Sequence, residues 1–197
     1  FDDEVRLLQD FTEKMEQVVT AINSVKKPGH QTSLYDAVWQ FCDEKMRGAP
    51  SGRRAIVLIT DGDDTYSRAT LRDAIDIAQR TETIVFAIST KAGFAGVVPG
   101  VEAGMVSDRG DSDLEKLCAE TGGRAFFTGD RLALERSFTK IAKELRTQYI
   151  VTYKPTNDRY DGSFRQVEVK LAGKRDGMKV RTKRGYTALA DNVGIRR

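Results

Sequence analysis

The sequence is poor in the residues from which many metal and redox centres are built. Its 197 residues include a single histidine, His30, and two cysteines, Cys42 and Cys118. A lone histidine in a polar loop is more often a surface residue than a ligand, and no other residues complete a zinc set. Both cysteines fall on apolar faces of predicted helices, which favours buried free thiols. We therefore expect neither a zinc centre nor a disulfide framework.

Long apolar runs and a strong net charge are also missing. No segment is apolar for the roughly 20 residues that a membrane-spanning helix needs, and no signal peptide is visible at the start. The formal net charge is +3, and the basic excess lies late in the chain along predicted strands, a pattern typical of a solvated face. We expect no membrane span and no nucleic-acid partner, and the oligomeric state stays open. The length suits one α/β domain.

Three apolar runs without polar alternation predict strands that are buried on both faces. They occupy residues 55–60, 84–88 and 125–127. Apolar residues at helical spacing lie around these runs, over residues 15–25, 34–46, 71–78, 114–118 and 134–145. Strands that alternate with helices of this length predict an α/β fold, with a doubly wound, mostly parallel sheet of Rossmann-like form.

Polar residues mark the starts of three of these helices. Ser33 and Asp36 form a capping-box signature at the second predicted helix. Thr70 and Asp73 stand at the start of the third, and Ser112 is predicted to cap the fourth.

The two ends of the chain differ from this alternating middle. Residues 5–8 predict a short strand, and polar–apolar alternation near the other end predicts half-exposed antiparallel strands. The strands near that end are predicted over residues 149–153, 167–171 and 178–180. The chain is accordingly divided into an α/β domain at 1–147, a C-terminal β extension of the same domain at 148–187 and a tail at 188–197.

Candidate site residues gather at the carboxyl ends of the predicted strands, where ligands collect in a wound parallel sheet. Asp61 directly follows the most buried strand, and Asp63 and Asp64 stand beside it. A carboxylate there binds a hard cation, acts as a nucleophile or caps a turn, and for Asp63 and Asp64 the simpler interpretation is a solvated turn. Thr32 and Ser33 lie in a second loop at the same edge, where one residue can cap a helix while its neighbour coordinates a cation.

Several motifs, in their order, resemble the von Willebrand factor A family. They are residues 29–37 (GHQTSLYDA), 56–64 (IVLITDGDD) and 122–127 (GGRAFF). Residues 1–5 resemble the end of that family's second strand, and residues 148–186 resemble a bacterial subgroup of VWFA-related proteins known from acidobacteria. The resemblance implies a protein-binding, adhesion-type module without catalysis, located in the cell envelope or secreted.

The resemblance also implies a metal-ion-dependent adhesion site at the carboxyl edge of the sheet. Thr32 and Asp61 match two of its ligand positions for Mg²⁺, Mn²⁺ or Ca²⁺, and an acidic residue of a protein partner completes the cation's shell. Thr32, Ser33, Asp63 and Asp64 would contact that partner. The family's Asp-x-Ser-x-Ser loop follows a first strand that would precede this sequence. We therefore expect an incomplete site, weak metal binding and a chain that folds poorly alone.

A haloacid dehalogenase-like phosphatase is the alternative function. The run 61–65 satisfies an Asp-x-Asp-x-Thr spacing after an apolar strand, with Asp61 as the phosphoryl-accepting nucleophile, Asp63 as the general acid and magnesium as the cofactor. Such an enzyme also needs a lysine, for which Lys91 lies near a strand end. It further needs a later acidic pair, and the acids available follow a glycine-rich loop. They are Asp108, Asp111 and Asp113.

Three further features each have two interpretations. The triplet Arg109-Gly110-Asp111 is an integrin-recognition motif in other settings, and here chance is the better explanation. The loop at 90–110 either contacts a partner or packs on itself. Aromatic residues of the C-terminal extension either support edge pairing with another chain or cover the sheet's own edge, which we favour.

Overall fold

The computed structural model describes residues 1–2, 4–25, 31–50, 52–60, 62–90, 109–128, 131–173, 178 and 180–189. Its helices are α1 (Met15–Asn23), α2 (Leu34–Phe41), α3 (Leu71–Arg80), α4 (Arg109–Thr121) and α5 (Arg131–Arg146), and a π-helical turn (Cys42–Met46) continues α2. Its strands are β1 (Arg54–Thr60), β2 (Thr83–Ser89), β3 (Ala125–Phe127), β4 (Phe164–Gln166) and β5 (Gly185–Thr187).

The main sheet is parallel and has the strand order β1-β2-β3. The register pairs Arg54 with Thr83 at one end of β1 and Thr60 with Ser89 at the other. Each strand is followed by a helix, since α3 joins β1 to β2 and α4 joins β2 to β3. The predicted α/β fold with a mostly parallel sheet is confirmed.

Helices cover both faces of this sheet. One face packs against α2, α3 and α4, and its centre is formed by Leu58, Val85 and Ala87. The other face packs against α5, and Phe86 and Ile88 of β2 form its centre. Consecutive residues of β2 enter opposite clusters because side chains alternate across a strand. This two-sided burial explains why the strand reads as a continuous apolar run.

The two cysteines lie in the α2–α4 layer as free, buried thiols, as predicted. Burial raises the pKa of the Cys42 thiol to about 11. Burial also raises the pKa of the Cys118 thiol, whose side chain lies in the same cluster. Both groups are therefore protonated at neutral pH and pack as small apolar side chains.

The C-terminal extension is antiparallel, as predicted, and it contacts the α/β body. β4 pairs with β5, and the Val167 N–H donates to the Arg184 carbonyl at 2.9 Å. The Arg184 N–H donates in turn to the carbonyl of Glu120 in α4 at 3.2 Å, and Arg181 pairs with Glu144 of α5 at 2.5 Å. The paired strands do not lie where the alternation predicted them, because β4 precedes the predicted strand at 167–171 and β5 follows the one predicted at 178–180. Several of the late basic side chains thus pair with acids of the body.

Two further predicted strands are wrong. Residues 5–8 and 149–153 make no sheet pairing within the described part of the chain. Tyr149 is 92% exposed and Ile150 is 71% exposed. β-branched and aromatic residues favour an extended backbone, but a strand also needs a neighbour for its hydrogen bonds, and neither segment has one there.

Helix α1 forms where the apolar spacing predicted it, yet it buries none of its residues. The residue before the helix is Lys14, and no side-chain cap bond is made. The N-terminal segment is tied to the body by an ion pair between Asp10 and Lys45 at 2.7 Å and by edge-on packing of Phe11 against Phe41. Within the described residues, every helix is too short or too polar to cross a bilayer.

Candidate functional site

The strand ends of the main sheet lie side by side at its carboxyl edge. Thr60 of β1 pairs with Ser89 of β2, which pairs with Phe127 of β3. The Thr90 N–H donates to the Thr60 carbonyl at 2.8 Å, and the Thr128 hydroxyl donates to the Ser89 carbonyl at 2.9 Å. The chain therefore leaves the strands from fixed positions at this edge.

Thr32 is held at this edge by the turn that follows β1. Its N–H donates to the Thr65 hydroxyl oxygen at 2.8 Å. Its carbonyl accepts the N–H groups of Thr65 at 2.9 Å and Tyr66 at 3.1 Å. The Thr32 hydroxyl makes no hydrogen bond with any of the described residues. The backbone of this predicted ligand is thus fixed, and its side-chain oxygen is available.

Asp64 lies at the start of α2. Its Oδ1 accepts the N–H of Leu34 at 2.8 Å, the N–H of Tyr35 at 3.3 Å and the Ser67 hydroxyl at 2.6 Å. The first N–H groups of a helix have no partner within the helix, so a carboxylate there satisfies two of them and interacts favourably with the helix dipole. Asp64 thus caps α2 from another loop, whereas its predicted contact with a partner stays a prediction.

The predicted capping box of Ser33 and Asp36 is wrong. The Ser33 side chain makes no cap hydrogen bond, since Asp64 already takes the helix N–H groups. The Asp36 carboxylate instead accepts the N–H of Ala69 at 2.8 Å and the N–H of Arg68 at 3.1 Å. By contrast, Thr70 and Asp73 form the capping box of α3 that their spacing indicated.

Asp63 lies against the first turn of α4. Gly62 has a φ of +95°, which favours glycine, and its carbonyl lies against Gly110. A Cβ atom on Gly110 would stand 2.5 Å from the Gly62 carbonyl oxygen and 2.6 Å from Asp63 Oδ1. The loop after β1 therefore contacts α4 through backbone, and Asp63 and Asp64 lie at the starts of two different helices. The solvated-turn interpretation is wrong for Asp64, which is partly buried and hydrogen-bonded.

Asp111 is a buried acid at this edge that was considered only for the phosphatase alternative and not for the binding site. It is 1% exposed and accepts the Ser89 hydroxyl at 2.8 Å. The predicted start of α4 at Ser112 is wrong, because the helix begins at Arg109 and contains the whole 109–111 triplet. The sequence contained a signal for the burial of Asp111. This residue stands three and seven residues before Leu114 and Cys118, on the same buried helical face.

A polar cleft of about 1140 Å³ runs from this edge between α3 and α4 to the C-terminal extension. Within this cleft the Tyr35 hydroxyl donates to Asp113 of α4 at 2.9 Å. Burial and this hydrogen bond raise the pKa of Tyr35, so the phenol keeps its proton. The charged residues along the cleft are of both signs. They are Asp63, Asp64, Arg72, Asp76, Arg80, Arg109, Asp113, Lys116 and Glu120.

Several residues discussed in the sequence analysis, some of them predicted site residues, lie outside the described part of the chain. They are Asp61, His30, Lys91 and Asp108, together with most of the loop at 90–110. Of the acids considered for a phosphatase, Asp111 and Asp113 are hydrogen-bonded to Ser89 and Tyr35. The phosphatase alternative stays an untested prediction.

The described residues fit part of a cation site. Among them, no group of three or more acidic, histidine or cysteine side chains is placed to hold a metal ion. Thr32 offers a hydroxyl oxygen, a ligand type that hard cations accept. Asp61, the other predicted ligand, lies outside the described residues.

A parallel sheet with helices on both faces defines an α/β domain of Rossmann-like form, a class of fold in which ligands generally bind at the carboxyl edge of the sheet. The sequence matches the von Willebrand factor type A domain over residues 1–141, and the chain belongs to this family. No curated protein matches the chain.

Family membership defines a general kind of activity. Von Willebrand factor type A domains are generally protein-interaction modules, and most are not enzymes. In a wound parallel sheet the expected binding region is the carboxyl edge, where Thr32, Ser33, Asp63 and Asp64 lie.

Proposed function

We propose that the chain is a protein-binding module, without catalysis, that receives an acidic residue of a partner protein at the carboxyl edge of its sheet. Thr32 and Asp61 would hold a divalent cation, Mg²⁺, Mn²⁺ or Ca²⁺. When bound, this cation supplies positive charge to which the partner's carboxylate coordinates. The chain's own residues position the two ligands and present the surrounding surface.

The observation that supports the proposal is the hydrogen bonding of Thr32. Both of its backbone polar groups are hydrogen-bonded to the turn after β1, whereas its hydroxyl makes no hydrogen bond among the described residues. Asp64 caps α2, so neither Thr32 nor Ser33 is needed as a cap. The partly exposed Thr32 hydroxyl is thereby left for another role, whereas the Ser33 side chain is only 3% exposed.

The charged residues next to Thr32 could contact parts of the partner beyond its bound acidic residue. Asp63 and Asp64 border the polar cleft, and Arg109 and Lys116 also line it. A partner whose acidic residue is bound at Thr32 would extend along a surface with charges of both signs. This mixed surface, with a net charge of only +3 for the chain, supports a protein partner over nucleic acid.

We further place the chain in the acidobacterial-type bacterial subgroup of VWFA-related proteins, with an envelope or secreted location. This assignment depends on the likeness of residues 148–186 to that subgroup. The α/β domain at 1–147, the extension at 148–187 and the tail at 188–197 remain the proposed division of the chain.

Mn²⁺ titration followed by electron paramagnetic resonance tests the cation site. We expect weak binding that Thr32→Val and Asp61→Asn each reduce and that Thr32→Ser retains, because serine keeps the hydroxyl oxygen. Thr139→Val on the exposed side of α5 removes a hydroxyl away from the edge and serves as the control. Equal Mn²⁺ binding by all of these proteins would place any cation elsewhere.

The partner chemistry is tested with paired peptides that differ only by glutamate or glutamine at one position. Binding should require the glutamate, should require Mn²⁺ or Mg²⁺, and should disappear in EDTA. Retention of the glutamine peptide, or retention in EDTA, would contradict recognition of a carboxylate through a cation.

A further inference from the structure

Thr65 meets both backbone polar groups of Thr32. Its hydroxyl oxygen accepts the Thr32 N–H at 2.8 Å, and its own N–H donates to the Thr32 carbonyl at 2.9 Å. A residue outside regular structure has one backbone donor and one acceptor, so these contacts satisfy the backbone of Thr32. Rotation of the Thr32 backbone would break both hydrogen bonds.

The turn that contains Thr65 also holds the start of α2. Asp64 accepts the N–H groups of Leu34 and Tyr35, and the Ser67 hydroxyl accepts the N–H of Asp36 at 3.0 Å. Residues 64–67 therefore run alongside residues 32–36 through consecutive hydrogen bonds. This two-loop contact begins at Thr32, and Thr65 forms its first pair.

We infer that Thr65 is the positioning residue of the binding edge, which fixes the backbone of Thr32 so that the Thr32 hydroxyl faces the ligand. This inference rests on the proposed function. Thr65 stands four residues after Asp61 in the same loop, so it also joins the two loops that carry the proposed cation ligands. It acts through Thr32 and is not itself a ligand.

Thr65 can be replaced without opening the core, because its side chain is exposed. Thr65→Val keeps the shape and the backbone N–H but removes the acceptor for the Thr32 N–H. Thr65→Ser keeps that acceptor. A comparison of these two variants isolates one hydrogen bond from the packing of the turn.

The experiment combines amide hydrogen exchange at Thr32 with Mn²⁺ titration, both on the full chain. Thr65→Val should speed exchange of the Thr32 amide by about two- to tenfold and weaken Mn²⁺ binding by about the same factor, which is the effect of one ordinary hydrogen bond. Thr65→Ser should restore both. Exchange of core amides such as those of β2 should be unchanged in either variant.

Each result decides a separate point. Unchanged Thr32 exchange in Thr65→Val would overturn the proposed contact. Faster exchange with unchanged Mn²⁺ affinity would overturn the positioning role. If the unsubstituted chain binds no Mn²⁺ while the exchange pattern is as expected, the cation proposal fails and Thr65 is left as a purely structural contact, which also overturns the inference.

Discussion

Single side chains at the binding edge stabilise elements to which they do not belong. Asp64 caps α2 from the loop after β1, and Asp36 of α2 accepts N–H groups of Arg68 and Ala69 in return. These reciprocal contacts tie a helix start to a loop about 30 residues away in sequence. A local capping rule, applied to the residues just before α2, could not find them.

Removal of the Asp64 carboxylate should lower the free energy of unfolding by about 1–2 kcal/mol, because the Leu34 and Tyr35 N–H groups lose their partner. The variant is Asp64→Ala, and urea denaturation followed by circular dichroism measures the loss. Asp64→Asn keeps an acceptor oxygen and should lose less.

Ser33→Ala is the matched control, since the Ser33 side chain makes no cap bond. Ser33 is only 3% exposed, but its hydroxyl makes no cap bond, so its removal should cost less than removal of the Asp64 carboxylate. If Ser33→Ala were the more destabilising of the two substitutions, the capping role would belong to Ser33, as its position before the helix had indicated.

At the level of elements, the buried parallel strands are the most predictable part of the chain. β1 and β2 coincide with the predicted apolar runs to within about a residue at each end. Only β2 is covered on both faces, as an apolar run without alternation predicts, whereas β1 leaves Val57 and Ile59 exposed. Residues 149–153 have a similar β-prone composition but make no pairing among the described residues. Local sequence shows the preference for an extended backbone, whereas pairing depends on a distant neighbour.

The start of α4 shows a second limit of local prediction. Gly110 indicates a loop when only the sequence is considered, yet it lies in the first turn of the helix. The residue is glycine because the Gly62 carbonyl leaves no room for a side chain. The requirement for glycine comes from a contact between two loops. Similarly, the strands predicted from the sequence indicated which edge of the sheet carries Thr32, Ser33, Asp63 and Asp64. They did not indicate which atoms each residue would contact.

β1 is the outer strand of the three-stranded sheet described here, and it should promote self-association. Val57 is 38% exposed and Ile59 is 50% exposed, and residues 55–60 contain neither the charge nor the proline that blocks edge pairing. Ile59→Lys should shift the chain towards monomer by introducing a charge at that edge. Sedimentation velocity over a range of concentrations measures the change.

Leu132→Lys provides the control for this experiment. Leu132 is 54% exposed on α5, so the substitution adds the same charge away from the β1 edge. It should leave the sedimentation profile unchanged. A chain that is monomeric at every concentration before substitution would show that the β1 edge does not pair.

At the scale of the whole molecule, three ion pairs help to join the C-terminal extension to the α/β body. Arg181 pairs with Glu144 at 2.5 Å, Arg184 pairs with Glu120 at 3.2 Å and Lys183 lies 3.9 Å from Glu82. Gly122 is in close contact with the backbone at Thr182 and Lys183, which adds a steric constraint to the charged contacts. The basic residues of the extension thereby have a role within the fold.

A double-mutant cycle on Arg181→Ala and Glu144→Ala should give a coupling free energy of about 0.3–1 kcal/mol, reduced by added salt, as expected for a partly exposed pair. Thermal or urea unfolding of the four proteins supplies the values. The Arg131–Glu135 pair on the surface of α5 is the comparison and should couple more weakly, because both of its side chains are more exposed. Equal coupling in both pairs would argue against a docking role for Arg181.

The burial of the 109–111 triplet has a practical consequence for how binding to this protein is tested. Gly110 is buried and Asp111 is 1% exposed against Ser89, so the folded chain does not present Arg-Gly-Asp as an accessible ligand. A synthetic peptide from this region, or protein denatured on a blot, displays the triplet freely. A receptor captured by such reagents would report on the unfolded sequence and not on the native protein.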